Sequence, residues 1–207
     1  MSTQWQMPED AMLRAFLEQI RKYSKKELLS QYETAEKNGQ FPDKAVQWLV
    51  EMGVFGLIIP VEYGGSGMGA VAAAYVAREL AYWWPGLHLI WTAHNLAAEV
   101  IIQAGSEEQK SRLLPRLASG EIGAFCLTEP GAGTDALSMS TKAIFESDDN
   151  CYVLHGSKDF ITNAKEASVL IVPARTGPSK KDISAFLLEV TPGSVVEGLT
   201  IIPQEKN

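Results

Sequence analysis

The sequence predicts an α+β protein: an all-α N-terminal domain of about five helices, followed by an incomplete antiparallel β-barrel-like domain. Three observations predict it. Apolar residues recur every three or four positions through residues 1–120. After Gly120 they gather into short β-branched or aromatic runs separated by turn clusters. A hydrophobic fraction of 46% over 207 residues is ample for packed cores. The boundary is accordingly placed near residue 120, with a helical domain over 1–120 and a β domain over 121–207.

Residues 10–37 form the first predicted helix, because Leu13, Phe16, Leu17, Ile20, Leu28, Leu29 and Tyr32 make one apolar stripe. Asn38-Gly39 supplies its stop, and Pro42-Asp43 opens a second helix with the stripe Val46, Leu49, Val50 and Met52, closed by Gly53. The apolar run 54–59 ends at Pro60, and the Gly-rich stretch 63–69 leads into an Ala-rich helix over 70–83 that Pro85 terminates. Its small residues predict close helix contact. Residues 87–104 read as a fourth helix, apolar on enough faces to be the most buried one. Ser106 followed by Gln109 is a capping-box pattern for a fifth, which ends by Gly120. The predicted strands are 122–128, 151–154, 160–162, 169–172 and 183–190, with 139–145 strand-like as well. Ser147-Asp148-Asp149-Asn150 is the turn of a hairpin.

Composition excludes several function classes. The net charge is −7, and the densest basic runs, 21–26 and Lys180-Lys181, are too sparse for a phosphate-binding face, so no nucleic-acid partner is expected. Cys126 and Cys151 are too few for a disulfide framework and lack metal-ligand spacing to any His, which points to a reducing compartment and no metal. The first twenty residues lack the pattern of a leader peptide. The most apolar stretch, 87–104, carries His88, His94, Asn95, Glu99 and Gln103, so no membrane insertion is expected. The expected location is cytoplasmic, or the mitochondrial matrix for a processed eukaryotic chain.

The chemistry concentrates in FCLTEPGAGTD, residues 125–135. A strand delivers Thr128, and Pro130 with two glycines is expected to force tight turns that present bare peptide N–H groups. The pyrimidine edge of an isoalloxazine ring gains negative charge on reduction, so preorganised N–H and O–H donors favour the reduced state. Thr128 offers both kinds. In Phe160-Ile161-Thr162 an aromatic side chain suits packing on a flat ring, with a hydroxyl two residues later on the same side of a strand. Either piece alone is also what an ordinary strand end or core contact looks like.

Together, and in this order, they resemble the acyl-CoA dehydrogenase family. Its pattern of a small residue, an aliphatic, Ser or Thr, Glu, two free positions, a small residue, Gly, Ser or Thr, and Asp is met by Cys126-Leu127-Thr128-Glu129-Pro130-Gly131-Ala132-Gly133-Thr134-Asp135. Ile59-Pro60-Val61-Glu62-Tyr63-Gly64-Gly65 and Gly156-Ser157-Lys158-Asp159-Phe160-Ile161-Thr162-Asn163 are similar to other family segments, so the likeness spans the chain. The resemblance implies FAD, lined by Phe125, Cys126, Leu127, Thr128, Glu129, Pro130, Gly131, Ala132, Gly133, Thr134, Phe160, Ile161 and Thr162. By it Thr128 is the donor to the pyrimidine edge, and the Thr162 hydroxyl lies beside flavin N5. Thr134 stands near the acyl-CoA substrate where the family usually has Ser, and Phe160 replaces the commoner Trp. Glu129 and Asp135 take structural roles, and His88, His94 and His155 take core or surface ones.

The implied reaction is α,β-dehydrogenation of an acyl-CoA thioester to the trans-enoyl-CoA, with electron-transfer flavoprotein as acceptor. Homo-oligomers, or hetero-oligomers with a related subunit, are expected. The family's base, a Glu on a C-terminal helical domain, is expected outside these residues, since the β domain is expected to break off within 201–207. The chain alone is then expected to be inactive, or to be a partner-completing, non-catalytic subunit. An oxidase or monooxygenase relative is a further alternative. A nicotinamide-binding fold is weaker: Gly65-Ser66-Gly67-Met68-Gly69-Ala70 and Gly131-Ala132-Gly133-Thr134-Asp135-Ala136 fit the loose glycine pattern but lack its strand-to-helix setting.

Overall fold

The computed structural model describes residues 8–203. Residues 1–7, where the search for a leader peptide starts, and 204–207, the end of the last predicted segment, lie outside the described residues. The chain divides into two compact units. One runs to Thr92 and takes in Ala118–Gly120; the other comprises Ala93–Leu117 and the chain from Glu121 onward.

In the first unit, α1 (Ala11–Tyr23) starts at Asp10, whose carboxylate accepts from the Leu13 N–H at 2.7 Å, and it buries Leu13, Leu17 and Ile20. A π-helical turn, Ser24–Leu28, joins it directly to α2 (Leu29–Asn38), so the rod predicted over 10–37 is continuous. The wider turn shifts the helical phase. Leu28 is the last buried residue of the stripe and Leu29 is 47% exposed, which corrects the inward placement of Leu29, while Tyr32 is half-buried and packs edge-on against the buried Trp84 at 5.7 Å. Gly39 closes the rod at φ 63°. The short helix α3 (Asp43–Glu51) buries Ala45, Val46 and Leu49. Val54, Phe55, Leu57 and Ile59 are then fully buried without regular structure, and Gly65 passes so close that a Cβ would lie 2.0 Å from the Ile59 carbonyl oxygen.

Helix α4 (Gly69–Trp83) packs on α1, as its small residues predict, and carries the buried Glu79. That carboxylate is offset by two guanidiniums: Arg21 donates through Nε at 2.9 Å and through Nη2, and Arg78 through Nη1 at 2.8 Å. Helix α5 (Pro85–Ala104) follows, with Trp91 donating to the Val54 carbonyl at 2.8 Å. Leu87, Ile90, Trp91, His94, Ala97, Ala98 and Ile101 are buried on α5, more than on any other described helix, as expected, although Leu89 and Leu96 on its other side remain about half exposed. No helix among the described residues is long and apolar enough to cross a membrane.

In the second unit, α6 (Glu107–Ala118) opens on the predicted capping box. The Ser106 N–H donates to Gln109 Oε1 at 2.9 Å, and the Gln109 N–H donates to Ser106 Oγ at 3.2 Å. Counting α1 to α2 as one rod, five α-helices precede the sheet among the described residues. Its strands are β1 (Gly123–Phe125), β2 (Lys142–Glu146), β3 (Cys151–His155), β4 (Val169–Arg175) and β5 (Ile183–Glu189). β4 is central: β5 lies antiparallel along one edge, while β1 and the start of β2 lie parallel on the other. β2 and β3 form the predicted hairpin, turning through Asn150 at φ 49°.

The α+β class holds, and the sheet is mixed and open. It is mixed because the chain leaves β1, makes the β2–β3 hairpin and re-enters at β4 in its original direction. Residues 160–162 are not a strand. Phe160 has a φ of 55°, outside any extended geometry, and the chain turns at Thr162. Ala124, Cys126, Ala167 and Leu170 form the core of one sheet face, with Ile161, Val172 and Leu188 packed against it. On α6, Arg112 and Arg116 pair with Glu189 of β5, and Arg116 also holds Glu121, which accepts from Ser168 Oγ at 2.6 Å.

Candidate functional site

β1 ends where the Cys126 N–H donates to the Ile171 carbonyl at 2.8 Å. Past it, Glu129 and Ala132 exchange both backbone hydrogen bonds, at 3.0 and 3.1 Å, closing a tight turn over Pro130 and Gly131. Neither Gly131 nor Gly133 has a left-handed φ, and a Cβ on either would meet nothing within 4 Å. The turn is thus closed by Pro130 and the Glu129–Ala132 pair, and the expectation that the glycines force it is corrected. What the glycines leave is open, exposed backbone on the outer side of the loop, continuing through Thr134. Asp135 follows, exposed and accepting from Ser138 Oγ.

Glu129 holds the loop from beneath. Its carboxylate is buried and accepts from Ser140 N–H at 2.6 Å, Ser140 Oγ at 2.7 Å, Thr141 N–H at 3.1 Å and the Lys158 ammonium at 2.8 Å. Burial opposes its charge, but the donors from Lys158, Thr141 and Ser140 together prevail and hold the carboxyl well below its usual range. Lys158 also donates to the Leu127 carbonyl at 3.3 Å. Burial pushes the Cys126 thiol up to about 11, only partly countered by the nearby Lys158, so this side chain is an inert apolar filler.

The second segment lies alongside the first. The Asp159 N–H donates to the Thr128 carbonyl at 2.9 Å, which sets Phe160 beside the loop. Phe160 is 72% exposed in a left-handed backbone conformation, Ile161 packs inward on the core cluster, and Thr162 is half-buried. Thr128 is half-buried and Thr134 exposed. The two predicted segments therefore meet, while Glu129, Cys126 and Ala132 are turned into the protein. His88 is bonded to Thr92 at 3.2 Å, with burial lowering its basicity, and His155 is exposed on β3. Sequence reasoning did not single out Lys158 as a partner. The signal was a carboxylate at the end of an apolar strand, which requires a cation from elsewhere.

Neither loose glycine pattern has a dinucleotide-binding setting. Residues 65–70 follow the 3-10 turn Val61–Tyr63 and not a strand, and Gly133 leads into the 3-10 turn Ala136–Ser138 instead of a helix.

The model of the acyl-CoA dehydrogenase N-terminal domain matches residues 10–121, and that of the acyl-CoA dehydrogenase middle domain matches residues 124–206. The chain belongs to the acyl-CoA dehydrogenase family. The mitochondrial isovaleryl-CoA dehydrogenase of Pongo abelii is 36% identical over 184 residues, 85% of this chain and 43% of that protein. Butyryl-CoA dehydrogenase from Megasphaera elsdenii superposes with a TM-score of 0.79 at 34% identity, over 89% of this chain and 50% of that one. An acyl-CoA dehydrogenase complexed with FAD from Bacillus anthracis gives a TM-score of 0.85 at 32% identity, over 97% of this chain and 35% of that one. This chain spans half or less of the length of each of these relatives.

Proposed function

We propose that this acyl-CoA dehydrogenase family chain carries the flavin-facing and thioester-facing segments of an enzyme for α,β-dehydrogenation of an acyl-CoA to its trans-enoyl-CoA. The reading divides the chain into a helical domain over 1–120 and a β domain over 121–207. The observation that carries it is the 2.9 Å bond from Asp159 N–H to the Thr128 carbonyl, which joins two segments distant in sequence into one exposed polar and aromatic surface.

That surface fits FAD. Phe160 is a bulky aromatic side chain held outward by a strained backbone, a feature that burial does not account for. The backbone at Gly131 and Gly133 can be approached closely, since no side chain projects there. Bound FAD supplies a hydride acceptor for the β-hydrogen. Thr128 and Thr162 would offer it hydroxyl and peptide donors, Phe160 would give it an aromatic surface, and Thr134 would contribute to the acyl-CoA side of the site. Glu129 shapes the loop and does not take the α-proton, because its carboxylate is buried, ionised and already bonded to four donors. Asp135 is engaged with Ser138. The α-proton is thus left to a base outside these segments, and the chain alone binds flavin without completing turnover. The reading also assigns it to a homo-oligomer, or to a hetero-oligomer with a related subunit, in the cytoplasm or mitochondrial matrix, with electron-transfer flavoprotein as electron acceptor.

The test is spectroscopic. The purified chain is titrated with FAD and then with a fatty acyl-CoA. Saturable flavin binding without bleaching supports the reading, and no binding rejects it. Bleaching would return the base to this chain, and oxygen consumption in place of reduction of electron-transfer flavoprotein would favour an oxidase.

A further inference from the structure

Among the described residues, β1 is paired with β4 on one edge only. Ile122 O accepts from Ser168 and Val169, and Cys126 N–H donates to Ile171, so the alternation of the strand turns the peptide groups of Gly123 and Phe125 toward the opposite edge. Buried peptide groups at such an edge need partners. At Gly123 two buried side chains supply them. Gly123 N–H donates to His94 Nδ1 at 3.3 Å, and Asn163 Nδ2 donates to the Gly123 carbonyl at 3.2 Å. His94 is fully buried on α5 and Asn163 nearly so. The acceptor role of Nδ1 places the ring proton of neutral His94 on Nε2. A Cβ on Gly123 would lie 2.8 Å from the Cβ of Ala97, so only glycine lets α5 come close enough for this contact.

The placement of these residues gives the arrangement its meaning. Gly123 stands two residues before Phe125, and Asn163 directly follows Thr162. Residues 159–163 run antiparallel to 123–128, tied at one end by Asp159 to Thr128 and at the other by Asn163 to Gly123. Asn163 has a φ of 70°, a conformation that Asn tolerates better than most side chains. We propose that His94 and Asn163 are positioning residues that hold the two ligand-facing segments in register through Gly123. This rests on the proposed function for what the segments face; the register itself does not.

The experiment measures hydrogen–deuterium exchange of the full chain without flavin, and then FAD affinity, for His94→Phe, His94→Asn and Asn163→Gly. Asn163→Gly keeps the backbone conformation and removes only the side-chain donor. The expected result is a cross-effect: His94→Phe speeds exchange about tenfold in 159–163, and Asn163→Gly does the same in 125–128. The β2–β3 hairpin stays unchanged, and FAD binding weakens about tenfold in both variants. His94→Asn, which can return an acceptor near the Nδ1 position, restores both readouts. Acceleration confined to the substituted segment, or spread equally over the hairpin, overturns the proposal. So does unchanged FAD affinity in a variant whose exchange has risen, or failure of His94→Asn to restore what His94→Phe removes. If the unsubstituted chain binds no FAD, the flavin reading fails, and the cross-effect alone decides the register.

Discussion

Lys158 and Glu129 form an ion pair of 2.8 Å with side chains only 10% and 2% exposed, joining the stretch before Phe160 to the loop after β1. The pair lies under the candidate site, so its strength governs the site's shape as well as the stability of the fold.

Removing one partner leaves the other charge buried. Lys158→Met is expected to destabilise the protein by about 3–5 kcal/mol, the usual cost of an uncompensated buried charge. Lys158→Met combined with Glu129→Gln should recover part of that loss, because it removes the unpaired buried charge while the amide oxygen can still accept from Ser140 N–H and Oγ. Urea denaturation of the four species measures the coupling; strictly additive effects would contradict it.

The same carboxylate makes stability depend on pH. Glu129 ionises more readily in the native protein than in the unfolded chain, so its contribution is complete above the ordinary carboxyl value of 4.5 and is lost as pH falls toward the lowered native value. Glu121 and Glu189 are lowered by their hydrogen bonds to Arg116 and act in the same direction, though more exposed. The unfolding midpoint should therefore drop between neutrality and pH 3 or so, and Glu129→Gln should flatten the slope. An unchanged slope in that variant would refute the assignment.

Phe160 should show a trade between stability and binding. Its φ of 55° is strained for a large side chain, and Phe160→Asn removes that strain. The variant is expected to gain about 1 kcal/mol in thermal or urea unfolding while binding FAD more weakly. A variant that is both less stable and equally competent for FAD would contradict the role given to the ring.

The two thiols should separate cleanly. Cys151 is exposed on β3, whereas Cys126 is buried with its thiol pushed up to about 11. A thiol reagent at neutral pH should modify Cys151 promptly and Cys126 only in denaturant. Peptide mapping after brief labelling identifies which residue reacted.

The helices were readable because each buries a stripe set by local spacing, as Leu13, Leu17 and Ile20 do in α1, and because Ser106 and Gln109 cap α6 with side chains three residues apart. The 147–150 turn was readable for the same reason, since turn chemistry is local. Leu29 was misplaced because one π-helical turn shifts the phase of everything after it, and spacing alone does not reveal that turn. Residues 160–162 read as a strand from composition, but the chain there satisfies Thr128 and Gly123 and not a ladder, so Phe160 takes a left-handed conformation.

The sequence by itself determined the α+β class, the order of the elements and the two segments of the candidate site, all of which follow from short-range periodicity and motif. Tertiary structure alone decided that β1 runs parallel to β4, that Lys158 neutralises Glu129, and that His94 and Asn163 meet at Gly123. Each of those is a pairing between residues far apart in the chain, made because a buried charge or peptide group must find a partner, and no local pattern specifies which one it finds.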